Sequence, residues 1–123
     1  MILDTGALIA FERGKQRIAA LLDEASFDDS PIVVPTVVLA EAWRGGRRTA
    51  RLAMLLRAVR VEPLHDAVAR RAGEALAAVK SATTIDAIVV SCADALGLPL
   101  VTSDVDDMKR LADHFGGVAL IAV

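Results

Sequence analysis

One cysteine, no tyrosine and an aromatic share of 3% are what this chain of 123 residues has least of. A lone Cys92 excludes an intrachain disulfide. Its neighbours are apolar, which reads as a small core residue and not as a nucleophile. With 54% hydrophobic residues and so few rings, the core must be built from Ala, Val, Leu and Ile, a composition suited to helices packed on a buried parallel sheet. No apolar run reaches the roughly 20 residues of a membrane span without a charge or turn residue breaking it. The chain opens directly on an apolar strand, with no basic leader or cleavage site, so no signal peptide and a cytoplasmic protein are expected. There is no glycine-rich phosphate loop with its lysine, and no Ser-His-Asp or Cys-His arrangement can be read. His65 and His114 show no paired metal-ligand spacing and read as surface or core residues. The length fits a single domain over residues 1–123.

A net charge of −2 argues against a general nucleic-acid binder. The charge is unevenly spread, however. Between Glu41 and Glu62 every charged residue is an arginine: Arg44, Arg47, Arg48, Arg51, Arg57 and Arg60. This tract fits a solvated helix face. It equally fits a positive rim for a polyanion, since the guanidinium matches phosphate geometry.

Hydrophobic spacing orders the chain. Met1–Asp4 reads as a short strand closed by Thr5-Gly6, and Gly6–Arg13 and Lys15–Ala25 as helices separated at Gly14. A polar loop, Ser26–Pro31, leads to strand Ile32–Val34. Pro35 suits the first turn of a helix over Thr36–Trp43, which Gly45-Gly46 ends. Further helices are expected at Arg47–Arg57, His65–Val79, Thr84–Leu96 and Val105–His114. Strands are expected at Arg60–Glu62, Pro99–Thr102 and Val118–Ile121. Gly97 supplies a helix stop. The alternation argues for an α/β fold, a mostly parallel five-stranded sheet flanked by helices on both faces.

Four carboxylates stand out against this apolar background. Asp4 is the only charge before Glu12 and ends the first strand, where open α/β sheets place their ligands; it also suits a cap on the following helix. Glu41 is the only charge between Asp29 and Arg44, and its spacing from Val37 and Val38 directs it onto an apolar helical face. Asp86 fits a capping box with Thr83. Asp104 follows the fourth strand, and Asp107 three residues on again fits a cap pair. Asp106 points elsewhere and reads as solvent-facing. Taken jointly, these positions can converge on one pocket of a parallel sheet. Carboxylates crowded together raise one another's pKa, a penalty that a divalent cation removes. All-oxygen ligands select hard ions, Mg²⁺ or Mn²⁺. The chemistry that results is phosphodiester hydrolysis by metal-activated water.

Four stretches carry a resemblance. Leu3-Asp4-Thr5-Gly6-Ala7-Leu8, Val38-Leu39-Ala40-Glu41-Ala42-Trp43, Thr84-Ile85-Asp86-Ala87-Ile88-Val89 and Thr102-Ser103-Asp104-Val105-Asp106-Asp107 resemble, in order, the motifs of PIN-domain ribonucleases, specifically VapC-type toxins of toxin–antitoxin pairs. The resemblance implies a three-layer sandwich and a Mg²⁺- or Mn²⁺-dependent endoribonuclease. It also implies a cognate antitoxin and commonly a homodimer. On this match Asp4 and Asp86 are the leading metal ligands, with Asp104 bound directly or through water. Glu41 completes the shell or positions the attacking water, and Asp107 is a frequent fifth acid. Thr102 matches a hydroxyl often found before the Asp104-type acid. Arg44, Arg47, Arg48 and Arg51 are candidates for contact with RNA or antitoxin. Met108 departs from the family, which commonly has an aromatic there, as do Ser91-Cys92, where small alanines are usual. Two rivals are a metal-dependent phosphatase, or a receiver domain, and a non-catalytic PIN interaction module. Gly6, where a haloacid-dehalogenase-type motif needs a second Asp, disfavours the phosphatase. Retention of all four acids disfavours the inert module.

Overall fold

Ile2, Leu3, Val33, Val34, Leu100 and Val101 are all fully buried, as strands covered on both faces must be. Each contributes about 1.5–3 kcal/mol by leaving water. The computed structural model describes residues 1–123. It places these residues in β1 (Ile2–Leu3), β2 (Val33–Pro35) and β4 (Leu100–Thr102), with β3 (Arg60–Glu62) and β5 (Leu120–Ala122) outside them. The order is β3-β2-β1-β4-β5, and every pairing is parallel.

Between the strands run α1 (Thr5–Glu12), α2 (Gln16–Phe27), α3 (Thr36–Ala42), α4 (Ala50–Ala58), α5 (Asp66–Ala78), α6 (Thr84–Leu96) and α7 (Val105–His114). The chain winds outward from β1 through β2 to β3, then crosses back to β4 and outward again to β5. With right-handed crossovers the two directions of travel put their helices on opposite faces. The packing follows this division: α1 contacts α2, α3 and α4, and α5, α6 and α7 contact one another, with α3 also meeting α6. The result is the expected α/β sandwich. The winding reverses between β1 and β4, the switch point at which such sheets bind ligands.

Local chemistry sets the ends. Gly97 stops α6 in the left-handed region at φ 63°, a conformation cheap only for glycine. Asp4, Thr83 and Asp104 cap α1, α6 and α7 through their side-chain oxygens. Three expected boundaries shift. Gly46–Thr49 forms a 3-10 turn, and α4 begins only at Ala50. Gly45 and Gly46 both take positive φ, and the buried Thr49 hydroxyl donates to Gly46 O at 3.1 Å, which tightens this turn. Strand β5 starts at Leu120, because Val118 N is used on Ala112 O. Trp43 lies just beyond α3 with ψ 129°. Cys92 is buried in the core, and burial, followed by the nearby Glu62 charge, pushes its thiol up to about 11. No helix is long and apolar enough to cross a membrane.

Candidate active site

The carboxyl ends of β1 and β4 are held side by side, with Ile2 opposite Leu100 and Leu3 opposite Val101. Asp4 extends this ladder by donating its amide to Val101 O at 3.2 Å. Its side chain is only 6% exposed, and Oδ1 accepts from Ala7 N at 2.7 Å. The cap and the ligand reading therefore coexist, one oxygen serving α1 while the carboxylate lines a cleft over the switch point.

That cleft has a volume of about 230 Å³, and Asp4, Glu41, Asp86, Asp104 and Asp107 all line it. Four separate segments of sequence deliver them. Asp86 gives its backbone N–H to Thr83 Oγ1 at 3.2 Å, which leaves its carboxylate to the cleft. Asp104 donates its amide to Thr102 Oγ1 at 3.0 Å and weakly caps Asp107 N at 3.5 Å. Glu41 corrects one expectation. It is exposed at the rim and not pressed into an apolar face, since Val38 is the only fully buried side chain of the short α3. Asp106 is exposed as expected and does not line the cleft.

The electrostatics show that these groups feel one another. Burial raises the Asp4 carboxyl above the usual carboxylate range; hydrogen bonds from Thr102 and Ala7 oppose the rise, and the charges of Asp86 and Glu41 add to it. Asp107 is raised chiefly by the charge of Asp104 and a hydrogen bond shared with it, with Asp86 adding to the effect. No cationic side chain lines the cleft.

Three observations fit a hard divalent ion. The charged donors are all carboxylate oxygens, the choice of Mg²⁺ and Mn²⁺. Asp4 is buried without an ion-pair partner at its end of the cleft. Thr5 Oγ1, also beside the cleft, is buried with no hydrogen-bond partner. No three Asp, Glu, His or Cys side chains stand close enough together to hold a metal ion among themselves. The arrangement is an open acidic cleft, suited to an ion that keeps several waters and takes only one or two carboxylates.

The arginine tract lies elsewhere. Arg44 Nη1 donates to Trp43 O at 2.8 Å, Arg51 sits 5.0 Å from the Phe11 ring centroid, and Arg47 and Arg48 are exposed on the 3-10 turn. None of the four lines the cleft. His65 pairs with Glu62 at 3.1 Å, and His114 packs edge-on against Phe115. The residues that sequence reasoning passed over are Thr5, Gly6 and Ser103, which line the cleft together with the apolar Ile85, Val89 and Met108. Their only signal was adjacency to Asp4 and Asp104.

Fold and site define the class as an α/β domain with an acidic cleft at the switch point of a parallel sheet. The PIN domain family profile matches residues 1–114. The chain belongs to the PIN domain family. No curated protein sequence matches it significantly. Among solved structures it is similar to VapBC2 from Rickettsia felis bound to a DNA fragment from their promoter, with TM-score 0.83, 16% identity, and coverage of 99% of this chain and 97% of that one. It is also similar to a toxin–antitoxin complex from Klebsiella pneumoniae, with TM-score 0.75, 20% identity, and coverage of 98% and 95%. DNA-bound VapBC from Salmonella typhimurium gives TM-score 0.76 at 17% identity, covering 98% and 96%. At these identities the likeness is one of fold.

Proposed function

We propose that this chain is a divalent-metal-dependent endoribonuclease acting as the toxin of a VapBC-type toxin–antitoxin pair. The convergence of Asp4, Glu41, Asp86, Asp104 and Asp107 on one cleft carries this reading. Membership of the PIN family and the fold shared with toxin–antitoxin complexes support it. The partners are then an RNA substrate, a small cognate antitoxin and a second copy of the chain.

Asp4 and Asp86 are the leading groups to hold Mg²⁺ or Mn²⁺, with Asp104 beside them. Bound there, the ion supplies Lewis-acid polarisation of a phosphoryl oxygen and a more acidic water. Glu41, exposed at the rim, orients the attacking water or completes the shell. Asp107 lies beside Asp104 at the outer edge, and the Asp104 charge raises its carboxyl. Thr102 fixes Asp104 by accepting its amide hydrogen. Arg44, Arg47, Arg48 and Arg51 lie outside the cleft and contact RNA or antitoxin beyond the scissile bond.

The test is to purify the chain free of antitoxin and incubate it with structured RNA and Mg²⁺ or Mn²⁺. Cleavage that a chelator abolishes, and that Asp4→Asn and Asp86→Asn lose with folding intact, is the expected result. Cleavage unchanged in both variants removes the site; no metal-dependent cleavage by the parent chain removes the nuclease.

A further inference from the structure

The lining of the cleft contains five carboxylates, which only accept hydrogen bonds when ionised, and no cation. An incoming phosphodiester brings more acceptor oxygens. Donors must come from somewhere in the lining, and the side chains that can supply them are the hydroxyls of Thr5 and Ser103. Thr5 Oγ1 is buried. Ser103 is exposed. The neighbouring Thr102 is fully buried and engaged with the Asp104 amide.

The position of Ser103 depends on Gly6. A Cβ at residue 6 would collide with Ser103 Oγ and stand 3.1 Å from its Cβ and 3.2 Å from its amide nitrogen. Any side chain there would drive the hydroxyl from its place. Gly6 does not take a positive φ, so its backbone alone does not demand glycine. The demand comes from the close approach of the first turn of α1 to the segment that follows β4.

We infer that Ser103 is a substrate-binding residue: its hydroxyl, set in the space Gly6 leaves open, donates to a non-bridging oxygen of the phosphodiester held over the carboxylates. This rests on the nuclease reading above. It assigns Ser103 a direct contact and Gly6 a positioning role through Ser103.

The experiment compares Ser103→Ala, Ser103→Thr, Gly6→Ala and the double variant Gly6→Ala/Ser103→Ala on a short single-stranded RNA with Mn²⁺. Loss of one donor to a developing negative charge costs about 10²-fold where that donor acts alone; beside a metal ion the expected loss for Ser103→Ala is roughly tenfold or more in kcat/KM. Ser103→Thr restores most of it. Melting temperature and calorimetric Mn²⁺ affinity of Ser103→Ala match the parent, because the serine touches substrate and not the ion. Gly6→Ala alone loses activity, and adding it to Ser103→Ala costs less than the product of the two losses, since the hydroxyl it displaces is already gone. If Gly6→Ala does not fold, the two Ser103 variants carry the test. Unchanged cleavage by Ser103→Ala, or failure of threonine to rescue, overturns the inference while leaving the nuclease standing. A parent chain with no metal-dependent cleavage overturns both.

Discussion

The hydroxyl of Thr102, the last residue of β4, accepts the amide hydrogen of Asp104 at 3.0 Å, and Thr102 is fully buried. The same hydroxyl holds the Asp4 carboxyl below where burial alone would set it. Acting on both groups takes a side chain that donates as well as accepts, as a hydroxyl can. Thr102→Val keeps the shape and removes the hydroxyl. Leaving such buried partners unsatisfied costs about 1–3 kcal/mol. Urea denaturation should show that loss, and the Asp4 carboxyl should titrate still higher once its opposing hydrogen bond is gone. A variant as stable as the parent would show that the hydroxyl is idle.

The raised Asp4 carboxyl sets a pH dependence on the stability of the metal-free protein. Its folded carboxyl is raised from the ordinary 3.8, burial being the main cause. The folded state therefore holds this proton more tightly than the unfolded chain, and stability falls as pH rises from 3.8 through the folded value. Asp4→Asn removes the charge but keeps an oxygen for the Ala7 amide, as asparagine is an equally good cap. Its melting temperature should exceed the parent's at about pH 7 and match it at about pH 3, where both side chains are neutral. Mn²⁺ at a hundredfold excess over its dissociation constant should stabilise the parent by about 2.7 kcal/mol and the variant far less. Thermal melts at both pH values, with and without the ion, decide it.

The layers of this fold were legible because each element carries its own period. Fully apolar Ile32-Val33-Val34 cannot hide as a surface strand, and Gly97 closes α6 in the sequence as it does in space. The acids were legible for the same reason: a charge such as Asp4 or Asp86 is conspicuous in a run of aliphatic residues. Glu41 was misjudged because helical spacing gives a face but not how much of that face the rest of the chain covers. The 3-10 turn at Gly46–Thr49 escaped because its cause is a Thr49 side-chain bond to Gly46 O, not a pattern. Gly6 and Ser103 escaped because their relation spans nearly the whole chain. Only the adjacency of β1 and β4 brings them into contact, and no local periodicity encodes strand order.

Asp107 should respond to its neighbour. Its carboxyl is raised first by the charge of Asp104 and next by a hydrogen bond between the two. Asp104→Asn deletes the charge and preserves a capping oxygen for α7. The Asp107 carboxyl should then titrate lower, toward the usual carboxylate range, in a ¹³C-detected NMR titration of the metal-free protein. Asp86 and Asp106 continue to act on it, so some of the elevation should persist. An Asp107 titration unmoved by this change would mean that Asp104 does not act on it.

Arg47 and Arg48 offer a way to separate RNA from protein as the ligand of the arginine tract. Both are exposed on the 3-10 turn, outside the cleft. A guanidinium on a single-stranded phosphate releases counterions, so the logarithm of affinity falls with the logarithm of salt by about 0.7 per phosphate contacted. Binding of a single-stranded oligonucleotide can be followed in the inactive Asp4→Asn background by fluorescence anisotropy over a salt series. Arg47→Gln with Arg48→Gln should weaken binding and flatten the slope by about 1.4 if each meets one phosphate. The loss should be similar for unrelated sequences, since phosphate contacts carry no base information. A slope that does not move excludes these two side chains from the RNA path and leaves the tract to a protein partner. Because neither residue enters the cleft, Mn²⁺ affinity should be the same with and without the two arginines, and a change in it would mean that the turn supports the acidic site from outside.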